Sequence, residues 1–412
     1  MRIAIVGSGV SGLVAAYLLH RNHEITVFEA SARPGGHANT YTVNRGDESH
    51  AVDTGFVVFN EAAYPNFIRL LDELGVSSQP SDMSFSVQCE KSGLEYASHC
   101  LFAQKRNLVR PRFYRMLRDL VRFFRESREV LDGSFERMTL GDYLAKRGYS
   151  RVFIEDHLVP MGSAIWSAQP GSFDRFPVRQ FVRFFENHGF LQVRDRSPWR
   201  TVSGGSQAYV HAICRRFPDR LRLSTPITGV RRSEDGVILK TAGGESERFD
   251  QVVLAVHSDQ ALGMLDDPSE DERRILGTIR YQQNETVLHT DVRLLPRRKA
   301  AWASWNYLRP ANAESGRIKV TYNMNRLQRL SARDTFCVTL NRTDELSPSQ
   351  VVESWDYAHP VFDADAFQAQ KNRHLISGVR RTHYCGAYWG YGFHEDGVRS
   401  GLAVAKALGE VW

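Results

Sequence analysis

Residues 3–12 read Ile-Ala-Ile-Val-Gly-Ser-Gly-Val-Ser-Gly, an apolar run that leads directly into three closely spaced glycines. The run predicts a buried strand, and the G-x-G-x-x-G spacing predicts a turn from that strand into a helix. In such a turn the first glycine allows the bend, the second lets the backbone approach a pyrophosphate, and the third lets the helix pack closely on the sheet. The helix N-terminus then offers free N–H groups and a positive dipole end to phosphate. The predicted contacts with a dinucleotide are Gly7, Ser8, Gly9, Ser11 and Gly12.

An acidic residue ends the second predicted strand, which runs from Ile25 to Glu29. A carboxylate at this distance from the glycines can accept hydrogen bonds from a ribose. An isolated G-x-G-x-x-G is a weak signal, but here the strand, glycines, helix, second strand and acid follow one another in order. We therefore expect Glu29 to be a ribose ligand.

Three further segments favour FAD over NAD. Directly after Glu29, residues 30–37 carry a second glycine pair, for which a simple dehydrogenase domain has no use but a longer, doubly anchored cofactor does. Residues 52–59 are a β-rich run with a glycine, and residues 382–397 form a strand, a loop of glycines and aromatic residues, and the start of a second helix. That helix offers a second N-terminus to the same cofactor. The first two segments add the predicted contacts Ala30, Ser31, Gly35, Gly36, His37, Gly55, Phe56 and Val57.

Together these segments resemble the flavin-containing amine oxidase superfamily. Within it the chain is most similar to a bacterial branch of predicted NAD/FAD-binding oxidoreductases associated with cyclopropane-fatty-acid synthases. The resemblance is carried by the glycine segments and by Ala255–Gln260, His359-Pro360 and Gly392–Gly397. It implies an α/β fold, α+β overall, in which a FAD-binding Rossmann-like domain of the amine oxidase/glutathione-reductase type holds an inserted mixed α+β substrate domain.

The resemblance also implies site residues and domain limits. The backbone of Val230 would meet the adenine, Gly386 and Ala387 would contact phosphate and ribitol, and His394 and Glu395 would run past the flavin ring. FAD is expected to be non-covalent, because Cys385 lies several residues before the cysteine that monoamine oxidases use for attachment. The FAD-binding domain would comprise residues 1–75, 198–275 and 365–412, and the substrate domain residues 76–197 and 276–364.

Length and composition agree with two domains, since 412 residues exceed what one core usually supports. Residues 1–20 lack a signal-peptide pattern and no apolar run reaches the length of a membrane span. The five cysteines are scattered without metal-ligand spacing, so a cytoplasmic protein without a metal site is expected.

Residues 105–128 hold nine basic residues against two acidic ones, a local balance of +7 where the whole chain carries +6. Apolar residues recur there at helical spacing, so one helix face is apolar and its flanks are cationic. Either the helix packs on the substrate domain, or it leans on anionic phospholipid headgroups and brings the protein to the inner membrane surface. No nucleic-acid recognition motif accompanies the charge.

Candidate catalytic residues come from departures from true amine oxidases. Those enzymes place a lysine beside flavin N5 from a strand that corresponds to Tyr281–His289, and this strand has none. One aromatic position flanking the flavin is Phe393, without a hydroxyl, and His37 stands where many relatives carry Arg. On the strand, Glu285 and His289 share one face and Asn284 points the other way, so only one set can reach the pocket. The candidates are Glu285, His289, Tyr391 and His394.

The resemblance implies an FAD-dependent oxidoreductase that acts on an unsaturated or modified fatty acyl chain, free or in a phospholipid. Hydride transfer at flavin N5 would make it a desaturase, saturase or isomerase. One alternative is a flavin amine oxidase. Another is an FAD-stabilised accessory subunit of a lipid methyltransferase or cyclopropane synthase, which would then be its partner.

Overall fold

A five-stranded parallel sheet holds the first glycine turn in the computed structural model, which describes residues 1–133, 135, 137–192, 197–311 and 316–412. Numbered in chain order, its strands are β1 (Arg2–Val6), β2 (Glu24–Phe28), β10 (Leu221–Arg222), β14 (Gln251–Leu254) and β20 (Thr382–Tyr384). They lie in the order β10-β2-β1-β14-β20. Helices α1 (Val10–Leu19) and α13 (His394–Ala407) follow β1 and β20 and pack against each other.

A second, seven-stranded mixed sheet forms the other wall of the molecule's main cavity. Its strands are β7 (Phe85–Cys89), β8 (Leu94–Ala97), β15 (Arg280–His289), β16 (Trp305–Arg309), β17 (Val320–Asn323), β18 (Cys337–Leu340) and β19 (Val351–Val361). Their order is β19-β15-β18-β17-β16-β7-β8, with all pairs antiparallel except β16 and β7.

Three small antiparallel sheets lie outside the two large ones. They contain β3 (Thr40–Arg45) with β4 (Glu48–Asp53), then β5 (Val58–Asn60), β9 (Trp199–Val202) and β6 (Ser78–Pro80), and then β11 (Ile227–Ser233), β12 (Gly236–Thr241) and β13 (Ser246–Phe249). The first two hold segments that border the cavity.

The remaining helices surround the sheets. They are α2 (Pro65–Leu74), α3 (Pro111–Glu126), α4 (Leu140–Lys146), α5 (Arg151–Phe153), α6 (Val159–Trp166), α7 (Val178–Asn187), α8 (Gln207–Cys214), α9 (Ser258–Met264), α10 (Glu270–Thr278), α11 (Met324–Leu327) and α12 (Ala364–Lys371). A π-helical turn, Ile154–Leu158, joins α5 to α6 without a break. Among the described residues no helix is long and apolar enough to span a bilayer.

The expected fold class is confirmed, with β1, the glycine turn and α1 in the predicted places. Gly7 has φ +103°, a conformation that favours glycine, and a Cβ on Gly12 would lie 2.1 Å from the Gly7 carbonyl oxygen. The central sheet draws on residues 2–28, 221–254 and 382–384, and the seven-stranded sheet on 85–97 and 280–361. The exact domain limits given above stay a prediction.

Candidate active site

One cavity of about 620 Å³ lies between the two large sheets, a size common for ligand sites. The carboxyl ends of β1 and β2 and the N-termini of α1 and α13 border it on one side, and the seven-stranded sheet borders it on the other. Sixteen of the predicted cofactor contacts line this cavity. They are Gly7, Ser8, Gly9, Ser11, Glu29, Ala30, Ser31, Gly35, Gly36, His37, Gly55, Phe56, Val57, Gly386, Ala387 and His394.

The N-terminus of α1 has the properties of a phosphate site. Its N-cap is Gly9, no side chain caps it, and Ser8, Gly9 and Ser11 all line the cavity. The first N–H groups of a helix lack intrahelical acceptors, so here they are available to an anion. A Cβ on Gly9 would meet no atom within 4 Å, so the backbone leaves open space beside it. The arrangement fits a pyrophosphate.

Glu29 ties the end of β2 to the glycine turn. Its Oε2 accepts hydrogen bonds from the Ser8 N–H (3.0 Å) and the Ser8 hydroxyl, and its Oε1 accepts one from the Ser31 N–H (2.9 Å). A carboxylate has about four lone-pair sites, so one remains for a ribose hydroxyl. Glu29 is therefore suited both to shape the turn and to hold a cofactor.

Substituting Glu29 with Ala should weaken FAD binding by about 10- to 100-fold, because a charge-assisted hydrogen bond and two ties of the turn are lost. Isothermal titration of the apoprotein with FAD measures the effect. Ser8→Ala is the comparison variant: it removes the two hydrogen bonds of the Ser8 hydroxyl, to Glu29 and from the Gly35 N–H (3.2 Å), but keeps the carboxylate, so the loss of affinity should be smaller than for Glu29→Ala. Equal affinities for the wild type and Glu29→Ala would contradict the assignment of Glu29.

The N-terminus of α13 forms the second polar border of the cavity. Asp396 accepts hydrogen bonds from the Tyr391 and Phe393 N–H groups (3.0 and 3.1 Å) and so fixes the loop that precedes the helix. His394 stacks on Phe56 with 3.4 Å between ring centroids, and its Nε2 lies 2.9 Å from the Tyr209 hydroxyl. Burial lowers the pKa of His394 to about 3. His394 is thus a neutral, fixed ring at the cavity, and Tyr391 lines the same wall.

Three predicted cofactor contacts have other surroundings. Gly12 allows α1 to approach β1, as its contact with Gly7 shows. The Val230 carbonyl accepts the Asp266 N–H (3.1 Å) and Val230 pairs with Leu239, so its backbone is used within the protein. The cavity is bordered instead by Thr225–Ile227, and the Thr225 N–H donates to the Glu29 carbonyl (2.8 Å).

The third of these residues, Glu395, caps α2. Its carboxylate accepts the N–H groups of Asn66 and Phe67 (3.3 and 3.0 Å) and the Asn66 amide (2.5 Å). Burial raises the pKa of Glu395. These bonds occupy the carboxylate at a helix N-terminus, where a negative charge is stabilising.

Two of the catalytic candidates, Glu285 and His289, lie on β15. Neither is among the described residues that line the cavity. His289 is fully buried, its Nε2 lies 2.7 Å from the Thr339 hydroxyl, and its Nδ1 accepts the Asp291 N–H (3.0 Å). Glu285 shares its face, whereas Thr286 on the opposite face lines the cavity. In the second half of β15 the face that holds Asn284 and Thr286 is therefore the one directed to the site, while Tyr281, near the start of the strand, also lines the cavity.

Sequence reasoning missed a cluster of neutral rings on the cavity wall. His257, Tyr357 and His359 all line it, with ring centroids 6.0, 4.9 and 5.5 Å from that of His37. Burial lowers the pKa of His359 to about 4 and also lowers those of His37 and His257. The alternation of Tyr357 and His359 along a strand was a signal that both side chains share one face.

Asn284 holds the His359 ring in place through a hydrogen bond. Its amide nitrogen donates to the Ser167 carbonyl and to His359 Nδ1, both at 3.0 Å, while its oxygen accepts from Gln282 and Asn341 (3.1 and 2.8 Å). Because Nδ1 accepts, this hydrogen-bond assignment puts the proton of the neutral ring on Nε2. Asn284 thus acts on the cavity through His359.

The buried histidines make stability depend on pH. Burial lowers their pKa values to about 4 for His188, His289, His359 and His383 and to about 3 for His394. On unfolding these rings regain a pKa near 6.5 and take up protons below it, so their contribution to stability is lost as the pH falls from 6.5 towards 4. Burial raises the pKa of Asp53 and Asp396 to about 6. These carboxyl groups take up protons in the folded protein as the pH falls, which opposes the loss of stability caused by the histidines.

With His37 and His257, the buried histidines with lowered pKa values number seven, and with Glu395, the carboxyl groups with raised ones number three. The histidines outnumber the carboxyl groups, so the melting temperature should fall by several degrees between pH 7 and pH 5.5. Calorimetry of the FAD-loaded protein at a series of pH values measures it. A melting temperature that rises over this interval would contradict the neutral state of the buried histidines.

The part of the cavity bordered by α6, β16, β17, α11 and β18 is apolar. Thr286 contributes a hydroxyl group to this part of the wall. The rings of Trp305 and Tyr322 pack edge to face, with 5.1 Å between their centroids. No carboxylate, lysine or arginine lines this part among the described residues. Its wall is formed by Ile165, Trp305, Tyr322, Met324, Val338 and Leu340.

Comparison with known proteins gives consistent relatives. A family model described as flavin containing amine oxidoreductase matches residues 10–289. Amine oxidase [flavin-containing] A of Canis lupus familiaris is 25% identical over 282 residues, 62% of this chain and 49% of that enzyme. The match thus spans about half the length of this curated relative.

Solved structures share the architecture. A putrescine oxidase variant has a TM-score of 0.71 at 16% identity, covering 98% of both chains. A fatty acid isomerase from P. acnes has a TM-score of 0.68 at 16% identity, covering 97% of this chain and 96% of that one. At these identities the likeness shows the fold alone.

Proposed function

This chain belongs to the family of flavin-containing amine oxidoreductases, and we propose that it is an FAD-dependent oxidoreductase whose substrate is an unsaturated or modified fatty acyl chain. The observation that carries the proposal is the apolar wall of the cavity. FAD, when bound, supplies the hydride acceptor or donor at flavin N5. The chain's own task is then to bind and orient the acyl chain and to exclude water.

We assign the cofactor contacts by the surroundings of each group. The uncapped N-terminus of α1 would hold the pyrophosphate, Glu29 the ribose, and Thr225–Ile227 the adenine, since the latter two segments are hydrogen-bonded neighbours. The N-terminus of α13, with Tyr391 and His394, would border the flavin ring. This distribution supports a single extended, non-covalent FAD.

The apolar wall suits a hydrocarbon chain for an energetic reason. Each methylene removed from water contributes about 0.8 kcal/mol, so a long acyl chain gains binding energy without any polar contact. An ammonium group in the same place would be desolvated without a carboxylate partner, which is costly. The nearby imidazoles are held neutral, so they add no charge at the flavin end.

The position of Thr286 supports a departure from amine oxidation. The strand that carries it is similar to the one from which amine oxidases direct a lysine towards flavin N5. Two β15 residues line the cavity, Tyr281 near the start of the strand and Thr286, which pairs with Leu340. A hydroxyl there leaves this part of the cavity without a charged side chain.

We further propose a setting for this activity. A phospholipid-bound acyl chain fits the resemblance to the bacterial branch associated with cyclopropane-fatty-acid synthases, and such a synthase or a lipid methyltransferase would be the partner. The protein would act in the cytoplasm and meet its substrate at the inner membrane surface through residues 105–128.

Amine oxidation is the second candidate, favoured by the family match and by the aromatic residues Tyr357 and Phe393 on the cavity wall. The amine would have to enter as the neutral base. An accessory subunit that presents lipid to its partner uses the same cavity without turnover.

Product analysis tests the proposal. The FAD-loaded protein is incubated anaerobically, in stoichiometric amount, with detergent-dispersed phospholipids bearing saturated, unsaturated or cyclopropyl chains, and the released acyl chains are examined by mass spectrometry. With oxidised flavin we expect one of these chains to lose two hydrogens or to show a moved double bond. A gain of two hydrogens is expected only in a parallel sample whose flavin has been reduced with dithionite beforehand. Unchanged chains together with turnover of a neutral amine would establish the amine oxidase instead.

A further inference from the structure

The apolar stripe of α3 is used inside the protein. Phe113, Met116 and Phe123 are fully buried in the large core, and Leu117, Leu120 and Phe124 pack against it. The helix therefore packs on the substrate side of the fold, the first of the two alternatives that the sequence left open. What this helix and the preceding turn leave at the surface is a different set of residues.

Large apolar side chains are exposed at the turn that leads into α3. Leu108 is 53% exposed and Val109 77%, at the end of the short 3₁₀ turn Lys105–Val109, with exposed Phe102 and Tyr114 beside them. These four residues form one surface with five cations, namely Lys105, Arg106, Arg112, Arg115 and Arg118. We call this surface the basic tip. Exposed apolar side chains grouped in this way mark an interaction surface.

The tip is held in this exposed arrangement by hydrogen bonds. Asn107 is fully buried and its amide donates to the Glu95 and Leu101 carbonyls (2.9 and 3.3 Å). The Tyr114 hydroxyl donates to the Leu108 carbonyl (3.0 Å). Because the turn is anchored on both sides, Leu108 and Val109 project outward as part of the fold.

The cations of the tip lack carboxylate partners. Arg122 and Arg128, farther along, form ion pairs with Glu126 and Glu186. In contrast, the five cations of the tip form no ion pair with a carboxylate in the described ranges, and all five are exposed. Unneutralised charge of one sign around exposed apolar side chains complements the anionic headgroups and the adjoining acyl region of a bilayer.

We propose that the basic tip is the surface by which this protein docks on an anionic phospholipid bilayer, with Leu108 and Val109 entering the headgroup region. The proposal rests on the proposed function only for the reason to dock, namely access to a phospholipid acyl chain. A continuous structural path joins the tip to the cavity: α3 packs on α5, and α5 continues through the π-helical turn into α6, where Ile165 lines the apolar wall. Docking would bring this part of the fold to the membrane.

Vesicle flotation of the FAD-loaded protein tests the docking. We expect binding to phosphatidylcholine vesicles that contain phosphatidylglycerol, little binding to phosphatidylcholine alone, and weakening by salt. The triple variant Arg112→Glu/Arg115→Glu/Arg118→Glu should lose about 10²-fold in affinity, and Leu108→Asp/Val109→Asp should lose at least 10-fold. All variants should retain the flavin absorbance, which checks their fold.

Matched controls alter the same properties elsewhere. Arg215→Glu/Arg216→Glu/Arg231→Glu changes the net charge equally at exposed positions, and Leu375→Asp/Val411→Asp removes two other exposed apolar side chains. Both should bind like the wild type. Equal loss in the tip variants and the controls would overturn the proposal, as would absence of binding to anionic vesicles.

A duplex oligonucleotide serves as a second polyanion. If the tip variants lost affinity for it while the wild type ignored the vesicles, the surface would be a nucleic-acid site and the proposal would be wrong. Failure of docking is distinguishable from failure of the proposed function, because reduction of the flavin by detergent-dispersed lipid does not require a bilayer.

Discussion

Gly9→Val is expected to give a folded protein that purifies without FAD, with an affinity at least 10³-fold below that of the wild type. Gly9 is the N-cap of α1 and lines the cavity where the helix N-terminus is open to an anion. Its φ of −64° is accessible to every residue and an added Cβ meets no atom within 4 Å, so the backbone accepts a side chain. The two methyl groups of valine would instead occupy the space that a pyrophosphate needs.

Absorbance of the purified protein and titration of the apoprotein with FAD measure this loss, and far-UV circular dichroism checks the fold. Gly171→Val is the control, since Gly171 also has open space around it and does not line the cavity. A yellow Gly9→Val protein with wild-type affinity would mean that the glycine turn is not the phosphate site.

Ile165→Trp is expected to lower the rate of flavin reduction by a long acyl chain by about 10²-fold, while FAD stays bound. Ile165 lies near the end of α6, lines the apolar wall, and is half-buried. A larger ring there extends into the cavity and displaces a chain from the position in which its reacting carbon meets the flavin. The hydrogen-bonding groups assigned to the pyrophosphate and ribose lie on α1 and at the end of β2, so FAD should stay bound, and the flavin absorbance of the purified variant checks this.

Two comparisons make this prediction specific. Ile165→Val removes one methylene and should react at nearly the wild-type rate, and a short acyl chain should be affected less by Ile165→Trp than a long one. Anaerobic stopped-flow absorbance provides all five rates, three with the long chain and two with the short one. Equal rates for long chains in the wild type and Ile165→Trp would show that the substrate does not occupy this part of the cavity.

The sequence brought most of the residues predicted to hold the cofactor to one cavity, because each of them depends on a backbone feature that a local motif specifies. The glycine turn, the acid at the end of β2 and the second glycine pair all border the cavity. Val230 and Glu395 are predicted contacts that do not line the cavity, and their hydrogen-bonding groups are used by a neighbouring loop and by the N-terminus of α2. Such tertiary partners leave no local signal.

On the substrate side, the side chains that face the cavity depend on the register of the seven-stranded sheet. That register could not be predicted from the sequence. Placing β15 between β18 and β19 directs Thr286 to the cavity and His289 to the opposite face, beside Thr339. A shift of one residue would have exchanged these faces. For the same reason the cluster of His37, His257 and His359 could not be foreseen, because its members come from three distant segments.

Anaerobic mixing of the purified protein with phospholipids, unsaturated fatty acids and neutral amines, followed at the absorbance band of oxidised flavin, tests the central claim most directly. The apolar wall and the neutral imidazoles predict that an acyl chain is consumed, with bleaching of the flavin or, for an isomerase, with product formed at constant absorbance. Rapid bleaching by amines, with every acyl chain recovered unchanged, would contradict the account.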